Sequence, residues 1–220
     1  MQSVRLVDSP HAARNYPAGS LNIVHCTACG LVFNRDFEPE TQVWDSAYEE
    51  TQACSAHFSQ FSRNLAEELV ARWQLKNKRV LEVGCGKGHF LTELCRIGDN
   101  LGIGIDPALD LGRQVDAPES VTFHQALFHS KHMQFDPDLI VCRHTLEHLA
   151  NPQEVLSIMA SRRDIEVFFD VPDLQRILKE GAFWDLYYEH CNYFDRNALA
   201  SLLHRFGFIA EEIRNGFEGH

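Results

Sequence analysis

Apolar positions along the chain switch between two rhythms, and the switches outline a fold. Phe58, Phe61, Leu65, Leu69 and Trp73 keep to one face, with Arg63, Glu67 and Arg72 elsewhere. That spacing predicts an amphipathic helix over 55–75. From Val80 onward short apolar runs alternate with helical ones. Strands are expected at 79–83, 101–105, 121–124, 138–143 and 165–170. Helices are expected at 89–97, near 108–115, at 152–161, and from Asp195 to Gly207. Asn151-Pro152 offers an N-cap with proline in the first turn. Asp195 is a good N-cap and Gly207 a good C-cap. Phe208 to Ile213 is expected to add another strand. Such alternation implies an α/β domain, a parallel sheet with helices on both faces.

Residues 1–50 have a different texture. Asp8-Ser9-Pro10, Asn15-Tyr16-Pro17 and Ala18-Gly19-Ser20 are turn material. They suggest a division into a knuckle and lid segment, 1–50, and a main domain, 51–220. Within the first segment Cys26-Thr27-Ala28-Cys29-Gly30 is spaced to chelate a metal. A tetrahedral zinc site needs four ligands, and no second cysteine pair lies upstream. His11 and His25 are the histidines at hand, and His25 is poorly placed beside Cys26. The expectation is a β-hairpin knuckle with free thiols, with zinc at Cys26 and Cys29 as the alternative.

Composition narrows the function classes. At 220 residues the chain suits one main domain and a small appendage. No apolar run approaches the ~18 residues of a membrane span, and no signal-peptide pattern opens the chain. The formal net charge of −11 argues against a nucleic-acid partner, because phosphate binding wants a basic face. Seven cysteines, scattered in apolar segments, read as reduced thiols of a cytoplasmic protein. Cys85, Cys95, Cys142 and Cys191 are most simply packing residues. The expected partner is a small molecule, with no membrane; oligomeric state is not legible.

The chemistry begins at Leu81-Glu82-Val83-Gly84-Cys85-Gly86-Lys87-Gly88-His89. It sits between a strand and a helix. Glycines at alternate positions let main chain approach a ligand closely, and the helix start offers N–H groups. A dinucleotide fingerprint would place its third glycine where His89 stands. Leu101 to Pro107 then reads as a second strand closed by Asp106, which lies 22 residues after Gly84. An acidic residue at about that separation accepts hydrogen bonds from ribose hydroxyls in nucleotide folds.

Glu-x-Gly-x-Gly-x-Gly followed by Asp106 resembles the donor-binding loop of class I S-adenosylmethionine-dependent methyltransferases. Arg143-His144-Thr145-Leu146-Glu147-His148-Leu149, with Asn151-Pro152, is similar to the fourth-strand motif of their small-molecule members. His144 and His148 also have the i, i+4 spacing of metalloprotease ligands, but the parallel-sheet context fits a methyl-donor pocket better. Val171-Pro172-Asp173 and then Tyr-x-Glu-His-x-x-Tyr-Phe, ending at Phe194, look like the sugar C-methyltransferases. Cys26 to Val32 resembles the end of that subgroup's N-terminal zinc ribbon.

The resemblance implies a Rossmann-like domain. It assigns Glu82, Gly84, Cys85, Gly86, Gly88, Asp106, Pro107, Leu127 and His144 to the donor pocket, and a nucleotide-linked deoxysugar or related metabolite as acceptor. His190 is the first choice of base, with Glu189 orienting it or holding substrate, and His148 and His144 are the second choices. Tyr48 and Tyr188 are expected substrate contacts. The chain departs from the pattern in three ways. The first ribbon cysteine pair is absent, Phe123 to Phe128 lacks the acidic residue near adenine, and no seventh strand or second domain follows. The expectation is a piece of a longer protein. The competing classes are a non-catalytic nucleoside-binding or assembly domain and a dehydrogenase.

Overall fold

The computed structural model describes residues 7–44, 54–110, 112 and 116–219. Five strands form one parallel sheet: β3 (Arg79–Val83), β4 (Leu101–Asp106), β5 (Val121–Gln125), β6 (Leu139–Arg143) and β7 (Glu166–Asp170). Their order is β5-β4-β3-β6-β7. Chain direction across the sheet therefore reverses between β3 and β6. A crevice opens outside the strand ends at such a switch point.

Alternation along the strands sorts the core into two layers. Leu81 and Val83 of β3, with Ile140 and Cys142 of β6, face α4 (Pro152–Met159) and α6 (Arg196–Arg205) through Leu156, Met159 and Leu203. Val80, Leu139 and Val141 face α2 (Ala56–Arg72) and α3 (His89–Gly98) through Leu65, Leu69, Leu91 and Leu94. Caps set the helix starts. Ser55 accepts the Phe58 N–H at 3.2 Å, and Asp195 accepts the Ala198 N–H at 2.7 Å. The α2 helix ends at Arg72, short of Leu75, because Gln74 turns left-handed at φ +50°.

Ahead of the domain lie α1 (Pro10–Arg14) and a hairpin of β1 (Ile23–His25) and β2 (Val32–Asn34). Its turn carries Cys26 and Cys29, both free, and Gly30 closes it at φ +80°. The hairpin is not isolated. β2 pairs antiparallel with β8 (Asn192–Tyr193), which makes a three-stranded sheet. Among the described residues no third His, Cys, Asp or Glu joins Cys26 and Cys29 as a ligand set. The zinc alternative therefore finds no site. The N–H groups of Ala28 and Cys29 hold the Cys26 thiol below the usual thiol range.

Three sequence expectations differ from the structure. Residues 208–213 form no strand. Phe208 folds back as its N–H donates to Leu203 O at 3.1 Å, its ring packs on Phe169, and Ile209 is exposed. The helix near 108–115 is absent at 107–110, and 111 and 113–115 lie outside the described residues. Conversely α5 (Leu174–Glu180), capped by Asp173, was not anticipated. No helix among the described residues is long and apolar enough to cross a membrane.

Gly88 begins α3 at φ +82°, and a Cβ there would lie 2.3 Å from the Phe123 ring. Gly88→Ala should lose about 2–4 kcal/mol of stability from left-handed strain plus overpacking. Urea unfolding of both proteins measures it.

Candidate functional site

The crevice at the switch point is a cleft of about 1520 Å³. That exceeds an ordinary ligand pocket. One side is the loop between β3 and α3. Gly84, at φ +73°, gives its N–H to Ile105 O at 2.8 Å, which ties the loop to β4. A Cβ on Gly84 would fall 2.1 Å from Thr145 Oγ1. Thr145 in turn donates to Val83 O at 3.2 Å or Arg143 O at 2.9 Å. The ends of β3 and β6 can thus approach only because residue 84 is glycine.

Asp106 faces this loop. Its Oδ2 accepts the Gly86 N–H at 2.9 Å and its Oδ1 the Ala108 N–H at 2.7 Å. Burial pushes its carboxyl up, and those two N–H groups oppose the shift. Glu82 is buried one strand inward, where Oε2 accepts the Leu91 N–H at 3.1 Å. Burial raises the Glu82 carboxyl to about 8, against the Arg143 guanidinium and the Leu91 N–H. Arg143 lies over the Phe90 ring at 4.1 Å and pairs through Nε with Asp170 at 3.0 Å. Cys85, Pro107 and Leu127 line the same cleft, whereas Gly88 does not. Gly88 serves the close packing of Phe123 instead.

Another side is built from the end of β6 and the segment before β8. His144 leaves β6 at φ +46°, a left-handed conformation rare for residues other than glycine. Its Nδ1 lies 3.7 Å from Glu147 Oε1 and its Nε2 3.5 Å from Asp170 Oδ2. Enclosure in the cleft works to lower His144. Asp170 and Glu147 outweigh it, so His144 titrates above an ordinary imidazole. A 3-10 turn, Leu146–His148, then buries Glu147 and His148.

His148 Nδ1 donates to Glu189 O at 2.9 Å, which leaves the Nε2 lone pair as its acceptor. Trp44 meets its ring edge-on at 5.8 Å. His190 Nδ1 donates to Asp185 O at 3.1 Å, and its Nε2 accepts the Tyr187 hydroxyl at 2.6 Å. Burial and the neighbouring His148 push His190 down to about 3. Burial likewise lowers His148. Both rings are neutral near physiological pH.

Glu147, His148 and His190 bring one ligand-type atom each within 4.8 Å of one another. Both nitrogens of His190 are already hydrogen-bonded, to Tyr187 and to Asp185 O, so a cation there would have to displace one of them.

His144, His148 and His190 therefore come together in the cleft with the donor-loop residues. Tyr188 does not. Its hydroxyl accepts the Glu38 N–H at 2.9 Å and the Thr41 Oγ1–H at 3.1 Å, and its ring packs on Phe37 outside the cleft lining. Tyr48 lies outside the described residues. Glu189 accepts from His148 through its backbone carbonyl. Sequence reasoning missed Tyr187, Glu147, Arg143, Thr145 and Trp44 as cleft residues. The Tyr-x-Glu-His spacing already pointed to Tyr187, three residues before His190. Trp44 opens the aromatic segment Trp44 to Tyr48, which the family resemblance also covers, but no role for it was legible in the sequence.

A parallel sheet with a glycine turn at its switch point and an acidic residue closing the next strand defines a nucleoside-binding α/β domain. The methyltransferase-domain family matches residues 55–213, and the chain belongs to that family, with S-adenosylmethionine as the class's cofactor. It is 36% identical over 123 residues to the ubiquinone biosynthesis O-methyltransferase of Salmonella paratyphi A, covering 50% of this chain and 47% of that protein. It is 37% identical over 123 residues to the enzyme of the same name in Klebsiella pneumoniae strain 342, with the same shares. The chain spans about half the length of the curated relatives it matches.

Among solved structures, a candidate O-methyltransferase from Nostoc punctiforme superposes with a TM-score of 0.56 at 17% identity, covering 72% of this chain and 53% of that one. The plantazolicin methyltransferase, solved with S-adenosylhomocysteine, gives 0.51 at 17% identity, covering 68% of this chain and 65% of that one. These likenesses establish the fold.

A carboxyl raised from about 4.5 to about 8 on folding stabilises the protonated native state. That contribution is complete below pH ~4.5 and is lost as pH rises through about 8. Wild-type unfolding free energy should thus fall between pH 5 and 9 relative to Glu82→Gln. Denaturant titrations at pH 5, 7 and 9 read the difference.

Proposed function

We propose that the chain transfers the methyl group of S-adenosylmethionine to a small-molecule acceptor that must first lose a proton, and that Tyr187 and His190 take that proton. The sulfonium donor, when bound, supplies an electrophilic methyl that needs no further activation. The residues of this chain do the rest. Gly84, Gly86 and Asp106 hold the nucleoside end, with Asp106 offered to the ribose diol. Cys85, Pro107 and Leu127 flank it. The cleft brings an acceptor to the same switch point, where positioning alone lowers the barrier.

The observation that carries the reading is the 2.6 Å bond between Tyr187 Oη and His190 Nε2, at the wall of the cleft that holds the glycine loop. Burial keeps His190 neutral, so at neutral pH its Nε2 lone pair faces the Tyr187 hydroxyl proton. The Asp185 carbonyl fixes the tautomer. A proton arriving at Tyr187 Oη passes on to Nε2 as the phenol gives up its own. His148, with its lone pair on Nε2 and its ring 4.7 Å from His190, is the second acceptor of protons in the same wall. Glu189 supports this arrangement through its backbone carbonyl.

For the acceptor, Val171-Pro172-Asp173 and the Tyr-x-Glu-His run support a nucleotide-linked keto-deoxysugar methylated at carbon. A phenolic hydroxyl is the second reading. It is supported by the 36% identity to a ubiquinone biosynthesis O-methyltransferase and by the exposed apolar rim at Leu127 and Trp184. Either acceptor needs the same proton removal. The negative formal charge supports small molecules over nucleic acid as substrates.

The test is methyl transfer from labelled donor to a panel of keto-deoxysugar nucleotides and catechols. His190→Gln should lower turnover by about 100-fold or more, with S-adenosylhomocysteine affinity by calorimetry unchanged within about twofold. Turnover retained in that variant removes the base role. Thermal stabilisation by NAD but not by the methionine-derived nucleosides removes the reaction itself.

A further inference from the structure

Glu147 sits where a carboxylate is costly. It is 1% exposed, and neither of its oxygens has a hydrogen-bond partner. A buried charge with no compensation costs several kcal/mol. The groups that face it are few. Cys142 of β6 and Cys191 before β8 are buried thiols pushed well up by burial and by the Glu147 charge, so they stay neutral. The remaining neighbours are imidazoles. His144 Nδ1 is 3.7 Å from Oε1, and the nitrogens of His148 and His190 lie within 4.8 Å. Arg143 and Asp170 act on His144 from its other side, and Glu189 acts on His148. Among the described residues, the three histidines are the groups that lower the Glu147 carboxyl against its burial.

We propose that Glu147 is a positioning residue whose charge is complemented by the imidazolium that forms on the base pair during methyl transfer; this rests on the proton-acceptor role of His190. The O–H or C–H bond of the acceptor breaks, and its electron pair goes to the methyl carbon. The carbon–sulfur pair stays on sulfur, and the proton ends on His190 through Tyr187. The positive charge lost at sulfur reappears on an imidazole beside Glu147, which itself gains and loses nothing. A resident cation at Glu147, His148 and His190 is the competing use of these side chains. It would require His190 to release either Tyr187 or Asp185.

The sign of the effect is fixed. A neighbouring carboxylate raises an imidazole pKa, as Glu147 does at all three histidines. Ring-nitrogen NMR titrations of the ligand-free full chain, wild type and Glu147→Gln, read this without any acceptor. The His144 and His148 midpoints should move to lower pH by about one unit. S-adenosylhomocysteine affinity should stay within about twofold. With a turned-over acceptor, kcat should fall about tenfold or more, and the acid limb of its pH profile should move the same way. Glu147→Asp, which keeps the charge, should restore the midpoints and separate charge from packing.

Unmoved midpoints in a folded Glu147→Gln protein overturn the proposal. So does stoichiometric binding of manganese or zinc by wild type that Glu147→Gln abolishes. Loss of the His190 role, with the midpoints still shifted, overturns the base assignment instead.

Discussion

The contact on which the molecule turns is the close approach of β3 and β6 at Gly84 and Thr145. Thr145 Oγ1 occupies the space a Cβ on residue 84 would need, and the same hydroxyl reaches the carbonyls at the ends of both strands. One atom's absence thereby brings the donor loop and the histidine turn to opposite walls of a single cleft. Asp106 holds the loop from the other side by taking the Gly86 N–H.

The opposite wall is set less directly. β8 lies immediately after His190, and it is paired to β2 of the N-terminal hairpin. Asn34 gives its N–H to Cys191 O at 2.9 Å, and Asn192 Nδ2 reaches Leu149 O at 2.6 Å. The hairpin that the cysteine spacing suggested as a metal knuckle thus braces the segment of Tyr187 and His190. Trp44 adds an edge against His148 from the same N-terminal part. Polar groups buried this tightly resist rearrangement because each would lose partners that water cannot replace.

Much of the main domain was legible because its signals are local. The central strands, covered on both faces, read as short continuous apolar runs, and helices with one apolar stripe repeat at 3.6. The glycine loop was legible because only glycine tolerates its torsions. The strand expected at 208–213 failed for the opposite reason. Its apolar residues have the right texture, but a strand needs a hydrogen-bonding neighbour, and Phe208 is spent on Phe169. β8 is only two residues long, and its partner β2 lies far back in the sequence, so no window of residues contains the reason for it. Tyr188 was preferred over Tyr187 because adjacent tyrosines look alike until one is seen bonded to Glu38 and the other to His190.

By itself, the sequence determined the parallel sheet, the glycine turn after β3 and the acidic end of β4, because each follows from the torsions or periodicity of a few neighbouring residues. Only the tertiary structure decided which side chains share the acceptor wall. Glu147, Tyr187 and His190 belong to two segments that meet when β6 and the stretch before β8 pack together. Their burial, which sets their protonation, exists only once that packing is complete.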